Sequence, residues 1–160
     1  PIWMAREWYR HTIGFARNEV SRRYVDDPPT FHKPEHFRTR APNKKQGSND
    51  DVHPEDSLMQ GILDEGCRRT LHLYNAMLER NVPPEQARMV LPQNMMTEFI
   101  ETGSLAAYAR LVALRTGADA QSEIRDMAHQ VSKLLATKFP VSWPALVRDT
   151  MAAAAEEPNV

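Results

Sequence analysis

Cysteine is nearly missing from this sequence: of 160 residues, only Cys67 carries a thiol. No intrachain disulfide can form, and no cysteine-rich zinc site can be built. A reducing, intracellular setting is therefore expected. No apolar run approaches the roughly 18 residues of a membrane span, so no membrane association is expected. An excess of one charge is also lacking, the formal net charge being -1, which argues against a general nucleic-acid coat. Apart from His11, the histidines are scattered without ligand spacing, so no metal is expected. Glycine is scarce, at 6 residues. There is no glycine-rich phosphate loop, no serine-hydrolase elbow and no kinase motif set. The start, Pro1-Ile2-Trp3-Met4, lacks the basic and apolar regions of a signal peptide. It reads as cut or processed, with further elements expected upstream.

Hydrophobic residues make up 41% of the chain, enough for one domain with its own core over 1–160. Residues 2–11 read as a short aromatic-rich helix or strand-to-helix segment, and 15–24 as extended. A long loop is expected over 25–54, with Pro28, Pro29, Pro34, Pro42 and the polar run Asn43–Ser48. From Pro54 to Arg80, Met59, Leu63, Cys67, Leu71, Tyr74 and Leu78 recur at spacings of three and four, one apolar helix face. Cys67 lies on that face, so it is expected to pack rather than react. Pro83-Pro84-Glu85 opens a short helix and Pro92 ends it. Residues 94–102 read as a strand or an irregular helix. Ser104 caps a helix over 105–115, and Asp119 caps another over 120–137. A last segment starts at Pro140, and 152–160 is expected to be a flexible tail.

Four stretches carry possible chemistry. In an extended Arg17–Tyr24, alternate side chains share a face, so Arg17, Glu19, Ser21 and Arg23 would point one way. A hydroxyl and a guanidinium together grip a phosphate well; the plain alternative is an exposed strand face with weak ion pairs. Arg115 continues the stripe Leu105, Tyr108, Val112. It either satisfies the helix C-terminus or faces a pocket. Arg88 either pairs with Glu85 across one turn or binds an anion. Arg10-His11 either is structural or helps hold an anionic cofactor.

Together these stretches resemble the signature of the flavin-dependent thymidylate synthases. Arg10-His11 is followed by Asn18-Glu19-x-Ser21-x-Arg23-Tyr24. Glu85–Pro92, Thr97-Glu98, Thr102-Gly103-Ser104-Leu105, Leu114-Arg115 and Ala120-Gln121-x-Glu123-Ile124-Arg125 follow in the family's order. Asn43–Ser48 looks like a loop of phage-type members. The resemblance covers roughly residues 1–140 and implies an α+β fold, helix-rich with a small mixed or antiparallel sheet. It implies dUMP as substrate, methylenetetrahydrofolate and NADPH as co-substrates, FAD as cofactor, a homotetramer and a cytoplasmic location, that of the host cell if phage-encoded. Carried over by position, Glu19, Ser21, Arg22, Arg23 and Arg88 look like dUMP contacts. Arg115 looks like the arginine near the pyrimidine and the one catalytic side chain. Arg10, His11, Ser104 and Arg110 look like flavin contacts.

The pattern departs at several places. Thr12 stands where a second arginine is usual, and the spacer to Ser21 is one residue longer. Glu7 replaces a glutamine; Ser104, Ala106 and Asp119 replace polar or basic residues. The family's N-terminal His-x-x-x-Glu-His-type helix is not in this sequence. Two other functions fit the same residues. The scaffold would leave a hydroxymethyl rather than a methyl group on deoxyuridylate, or it would be a non-catalytic nucleotide- or nucleic-acid-binding relative using Arg38, Arg40, Lys44 and Lys45. The near-zero net charge argues against nucleic acid.

Overall fold

A computed structural model describes residues 1–24, 27–41, 48–117 and 120–156, the side chains of Ser48 and of 152–156 excepted. The described elements run α1 (Ile2–Trp8), β1 (Phe15–Glu19), β2 (Arg38–Arg40), β3 (Ser48–Val52), α2 (Asp56–Glu79), α3 (Pro84–Ala87), a single 3-10 turn (Arg88–Val90), β4 (Phe99–Gly103), α4 (Leu105–Arg115), α5 (Ser122–Lys138) and α6 (Ser142–Glu156). β1 pairs with β4, and β2 with β3. The first pair is antiparallel: the Ser104 N–H donates to the Gly14 carbonyl at 3.1 Å and the Val20 N–H to the Glu98 carbonyl at 2.9 Å. The fold is thus α+β, helix-rich with small antiparallel sheets.

The chain divides into two compact units, each discontinuous in sequence. The first comprises Pro1–Arg6, Asn18–Thr39 and Asn49–Ile100. Its long helix is α2, whose apolar face buries Cys67 and Tyr74. Cys67 packs as expected, a free buried thiol that accepts from Asn94 Nδ2 at 3.2 Å. α2 ends because Asn81 adopts φ 62. That left-handed residue turns the chain so that the Asn81 and Val82 N–H groups reach the Leu78 and Met77 carbonyls, at 2.9 and 3.0 Å. Two carbonyls that the last turn would orphan are satisfied this way.

The second unit comprises Glu7–Arg17, Arg40–Ser48 and Glu101–Val160. In it α4 packs against α5 and α6. Ala107, Ala109, Leu111 and Val112 are buried on α4, Ile124 and Ala128 on α5, and Trp143 on α6. Trp143 Nε1 donates to Ser132 Oγ at 3.1 Å, tying α6 to α5. Two glycines let β1 and β4 lie close to α4. A Cβ on Gly103 would meet two carbons of the Phe15 ring at 2.6 Å and Tyr108 at 2.9 Å. Gly14 sits at φ 81, and a Cβ there would meet that of Ala107 at 2.9 Å, so both positions exclude a side chain.

Several local expectations change. The extended reading of 15–24 holds only to Glu19, because the Tyr24 N–H bonds back to the Ser21 carbonyl at 2.9 Å and closes a turn. The stretch read as loop contains β2 and β3, which are too short to show a period-two pattern. α5 begins at Ser122 after Gln121 rather than at 120. The Asp119 cap and the 43–47 part of the phage-type loop lie outside the described residues. α6 runs through 152–156, and 157–160 lie outside the described residues.

Candidate functional site

In the first unit, β1 ends at Glu19 and delivers the chain into the Ser21–Tyr24 turn. Opposite it, the helical turn at Arg88 is held by α3, whose start is fixed by Pro84 at its first position. Between them lies a cavity of about 730 Å³ lined by Glu19, Ser21, Arg22 and Arg88, with Arg6, Thr97 and Gln93 among the other walls. Glu19 is fixed at 2.6 Å by the Thr97 hydroxyl, which donates to its Oε1. Arg6 Nη1 donates to Gln93 Oε1 at 2.9 Å. Arg22 donates through Nη2 to the Asp27 carbonyl, and its Nε is buried with no partner. Arg88 is exposed and its side chain has no hydrogen-bond or ion-pair partner among the described residues, so the pairing with Glu85 is not made.

The turn changes which arginine faces the cavity. Arg23, expected beside Ser21 on a strand face, is not among the lining residues. Its Nε lies 3.3 Å from Ser21 Oγ and its guanidinium stacks 5.1 Å from the Tyr24 ring centroid. Arg22 takes the cavity position instead. Thr97, Arg6 and Gln93 have no periodic signal that would have singled them out. Thr97 alone belonged to a stretch recognised in the sequence.

In the second unit the charged groups form a chain of contacts. Arg17, expected on one strand face with Glu19, Ser21 and Arg23, is 12% exposed and ion-paired to Glu101, itself 8% exposed. Glu101 also accepts from Trp8 Nε1, at 3.1 Å to each oxygen. Arg17 donates further to the carbonyls of His11 at 2.6 Å, Tyr9 at 3.4 Å and Trp8 at 3.5 Å. Its guanidinium also lies 4.7 Å from the Phe15 ring centroid. Nearby, Tyr108 meets Phe15 edge-on at 4.9 Å. Burial, then the Glu101 carboxylate, push its hydroxyl up to about 12.

Arg115 closes α4. Its Nη1 donates to Glu7 Oε1 at 2.7 Å and its Nε to His11 Nε2 at 2.9 Å. His11 is therefore an acceptor on Nε2. Burial, with the Arg115, Arg17 and Arg10 charges around it, lowers its pKa to about 4, against a smaller opposing effect of Glu101. Arg10 is exposed and without a partner among the described residues. Ser104 Oγ caps α4 by accepting from the Ala107 N–H at 3.1 Å, as its position in the sequence suggests. Arg110 is exposed, and its Nη2 donates to the Ile13 carbonyl at 3.2 Å. Among the described residues no group of three or more His, Cys, Asp or Glu could hold a metal ion, and no helix is long and apolar enough to cross a membrane.

A family model described as "Thymidylate synthase complementing protein" matches residues 1–141. The chain belongs to this family. Among curated relatives of the thymidylate synthase complementing family, the flavin-dependent thymidylate synthase of Thermus thermophilus is 36% identical over 145 residues, covering 91% of this chain and 53% of the relative. That of Aquifex aeolicus is 34% identical over 136 residues, covering 84% and 43%. The chain thus spans about half the length of these relatives. Among solved structures, a UMP/dUMP methylase from Streptomyces cacaoi bound with 5-Br UMP superposes with a TM-score of 0.77 at 22% identity, covering 92% of this chain and 70% of that one. At that identity the superposition shows a shared fold.

Proposed function

We propose that the chain is part of a flavin-dependent thymidylate synthase, one domain that methylates dUMP to dTMP with methylenetetrahydrofolate, FAD and NADPH. The family match over residues 1–141 carries this reading. The donors of the first unit suit it. A phosphate dianion fits the unpartnered Arg88 and the Ser21 hydroxyl, with Arg22 and Arg23 adding charge-assisted donors. Glu19, steadied by Thr97, accepts from a sugar hydroxyl. Arg115, of this or a neighbouring subunit, serves the pyrimidine carbonyls, which gain negative charge as hydride and carbon are delivered; a fixed guanidinium stabilises that charge.

The residues carried over for the flavin fit a diphosphate. Arg10 has its whole guanidinium free among the described residues, and Arg110 has N–H groups beyond the one given to Ile13. His11 and Ser104 complete that set. Flavin bound there and reduced by NADPH would supply the hydride; the chain's own residues bind, orient and polarise. The working assembly is a symmetric tetramer in the cytoplasm. Light scattering that reports a monomer at micromolar concentration would count against the tetramer.

Purified protein should show flavin absorbance in the blue and, given dUMP, methylenetetrahydrofolate and NADPH, should form dTMP by mass spectrometry. A colourless protein that returns dUMP unchanged overturns the proposal. Recovery of hydroxymethyl-dUMP would move it to the modified-product enzyme.

A further inference from the structure

Arg115 is a cation whose orientation is fixed by two different groups. Its side chain is 17% exposed and faces Glu7 at 14%. Glu7 holds Nη1 and His11 holds Nε. Bonds on two edges of a planar guanidinium fix both its position and its rotation. Nη2, with two N–H bonds, has no partner among the described residues. The two holding groups are themselves anchored. Glu7 is in the chain entering the Trp8–His11 turn, whose carbonyls receive Arg17. Arg17 is in turn paired to Glu101. His11 can accept from Arg115 because burial, and then the three neighbouring arginines, favour its neutral form.

The charge balance also matters. Glu7 lies in contact with Arg115 and cancels its charge locally. An arginine cancelled in this way is a poor site for a phosphate dianion, which the second charge of the pair repels. It remains a good donor to an uncharged oxygen, because its N–H geometry is intact and its direction is set beforehand.

We propose that Glu7 and His11 are positioning residues that aim Arg115 Nη2 at an uncharged carbonyl acceptor of the ligand. This rests on the dUMP reading above, in which the acceptor is a pyrimidine carbonyl.

The test is calorimetric titration of the flavin-loaded protein with dUMP and, separately, with deoxyuridine, which has the carbonyls and no phosphate. Glu7→Ala should weaken both ligands by the same factor, about tenfold, the loss expected for one misdirected charge-assisted hydrogen bond. Glu7→Gln keeps an oxygen to accept from Nη1 and should hold deoxyuridine within about threefold of the unaltered protein. Arg115→Ala should weaken both ligands as well, and adding Glu7→Ala to it should cost nothing further, because Glu7 acts through Arg115. A merely structural ion pair would lower the melting temperature without this equality or this non-additivity.

Binding by Glu7→Ala that is unchanged or tighter overturns the proposal, since Glu7 would then be idle or a competitor for Arg115. Loss of dUMP alone, with deoxyuridine unaffected, overturns it too. Unchanged binding by Arg115→Ala instead overturns the dUMP role of Arg115 itself. Unaltered protein that takes neither ligand overturns both.

Discussion

Replacing Arg17 by methionine should destabilise the second unit severely, although a charged residue on a five-residue strand normally reads as surface. The substitution keeps most of the apolar stem and removes the guanidinium. Glu101, 8% exposed, then loses its ion-pair partner and keeps neutral donors, the Trp8 indole and the Tyr108 hydroxyl. The carbonyls of Trp8, Tyr9 and His11 lose their shared donor, and the stacking on Phe15 is lost. Leaving one charge of a buried pair uncompensated costs about 3–5 kcal/mol. In a protein of this size each kcal/mol shifts the melting temperature by roughly 2–4 °C, so a fall of about 10 °C is expected. Adding Glu101→Gln should recover part of the loss, because no unpaired buried carboxylate then remains. Urea unfolding and thermal melting monitored by circular dichroism would read both variants. A loss under about 1 kcal/mol, the range of an exposed pair, would refute the argument that Arg17 organises the 8–11 turn.

Three further outcomes follow from the geometry. Arg88→Ala should leave melting unchanged, since the side chain is exposed and unpartnered, yet weaken dUMP by about 2 kcal/mol, roughly thirtyfold; calorimetry decides, and unchanged affinity removes Arg88 from the site. The His11 ring should titrate near 4 by proton NMR. Its folded pKa lies below the ordinary value of about 6.5, so the unfolded chain takes up its proton first. Stability from this group is therefore complete above about pH 6.5 and falls as the pH drops through about 4. A midpoint near 6.5 would contradict the burial of the ring beside three arginines. Gly103→Ala should cost about 1–3 kcal/mol by overpacking Phe15 and Tyr108, and Phe15→Leu in the same chain should relieve part of it; a neutral Gly103→Ala in urea unfolding would show that the rings give way freely.

Much of the helical scaffold was legible because periodicity is local. The face through Cys67 and Tyr74, the Ser104 cap and the end of α4 at Arg115 each follow from residues within a few positions of one another. β4 was half-read, its alternation being short. The site was legible as residue types and less so as geometry. A turn of four residues exchanged Arg23 for Arg22 at the cavity, since period-two reasoning fails where the strand ends. The Glu7–Arg115 pair joins residues 108 apart, and no spacing rule reaches that far. Arg17 leaves the face shared by Glu19 and Ser21 because its partners, Glu101 and three carbonyls, are supplied by the fold and not by neighbouring sequence.

The pairing of β1 with β4 also sets a timetable for synthesis. β1 is complete at Glu19, but the strand that receives it begins at Phe99. At about 5–20 residues per second on the ribosome, Trp8, Phe15 and Arg17 wait roughly 4–16 s for their partners. Closing so long a loop adds an entropic cost that short hairpins avoid. Residues 8–17 thus leave the ribosome before their partners around Glu101 are made. Slow codons between 20 and 98 would lengthen that exposure, and those after 104 would not.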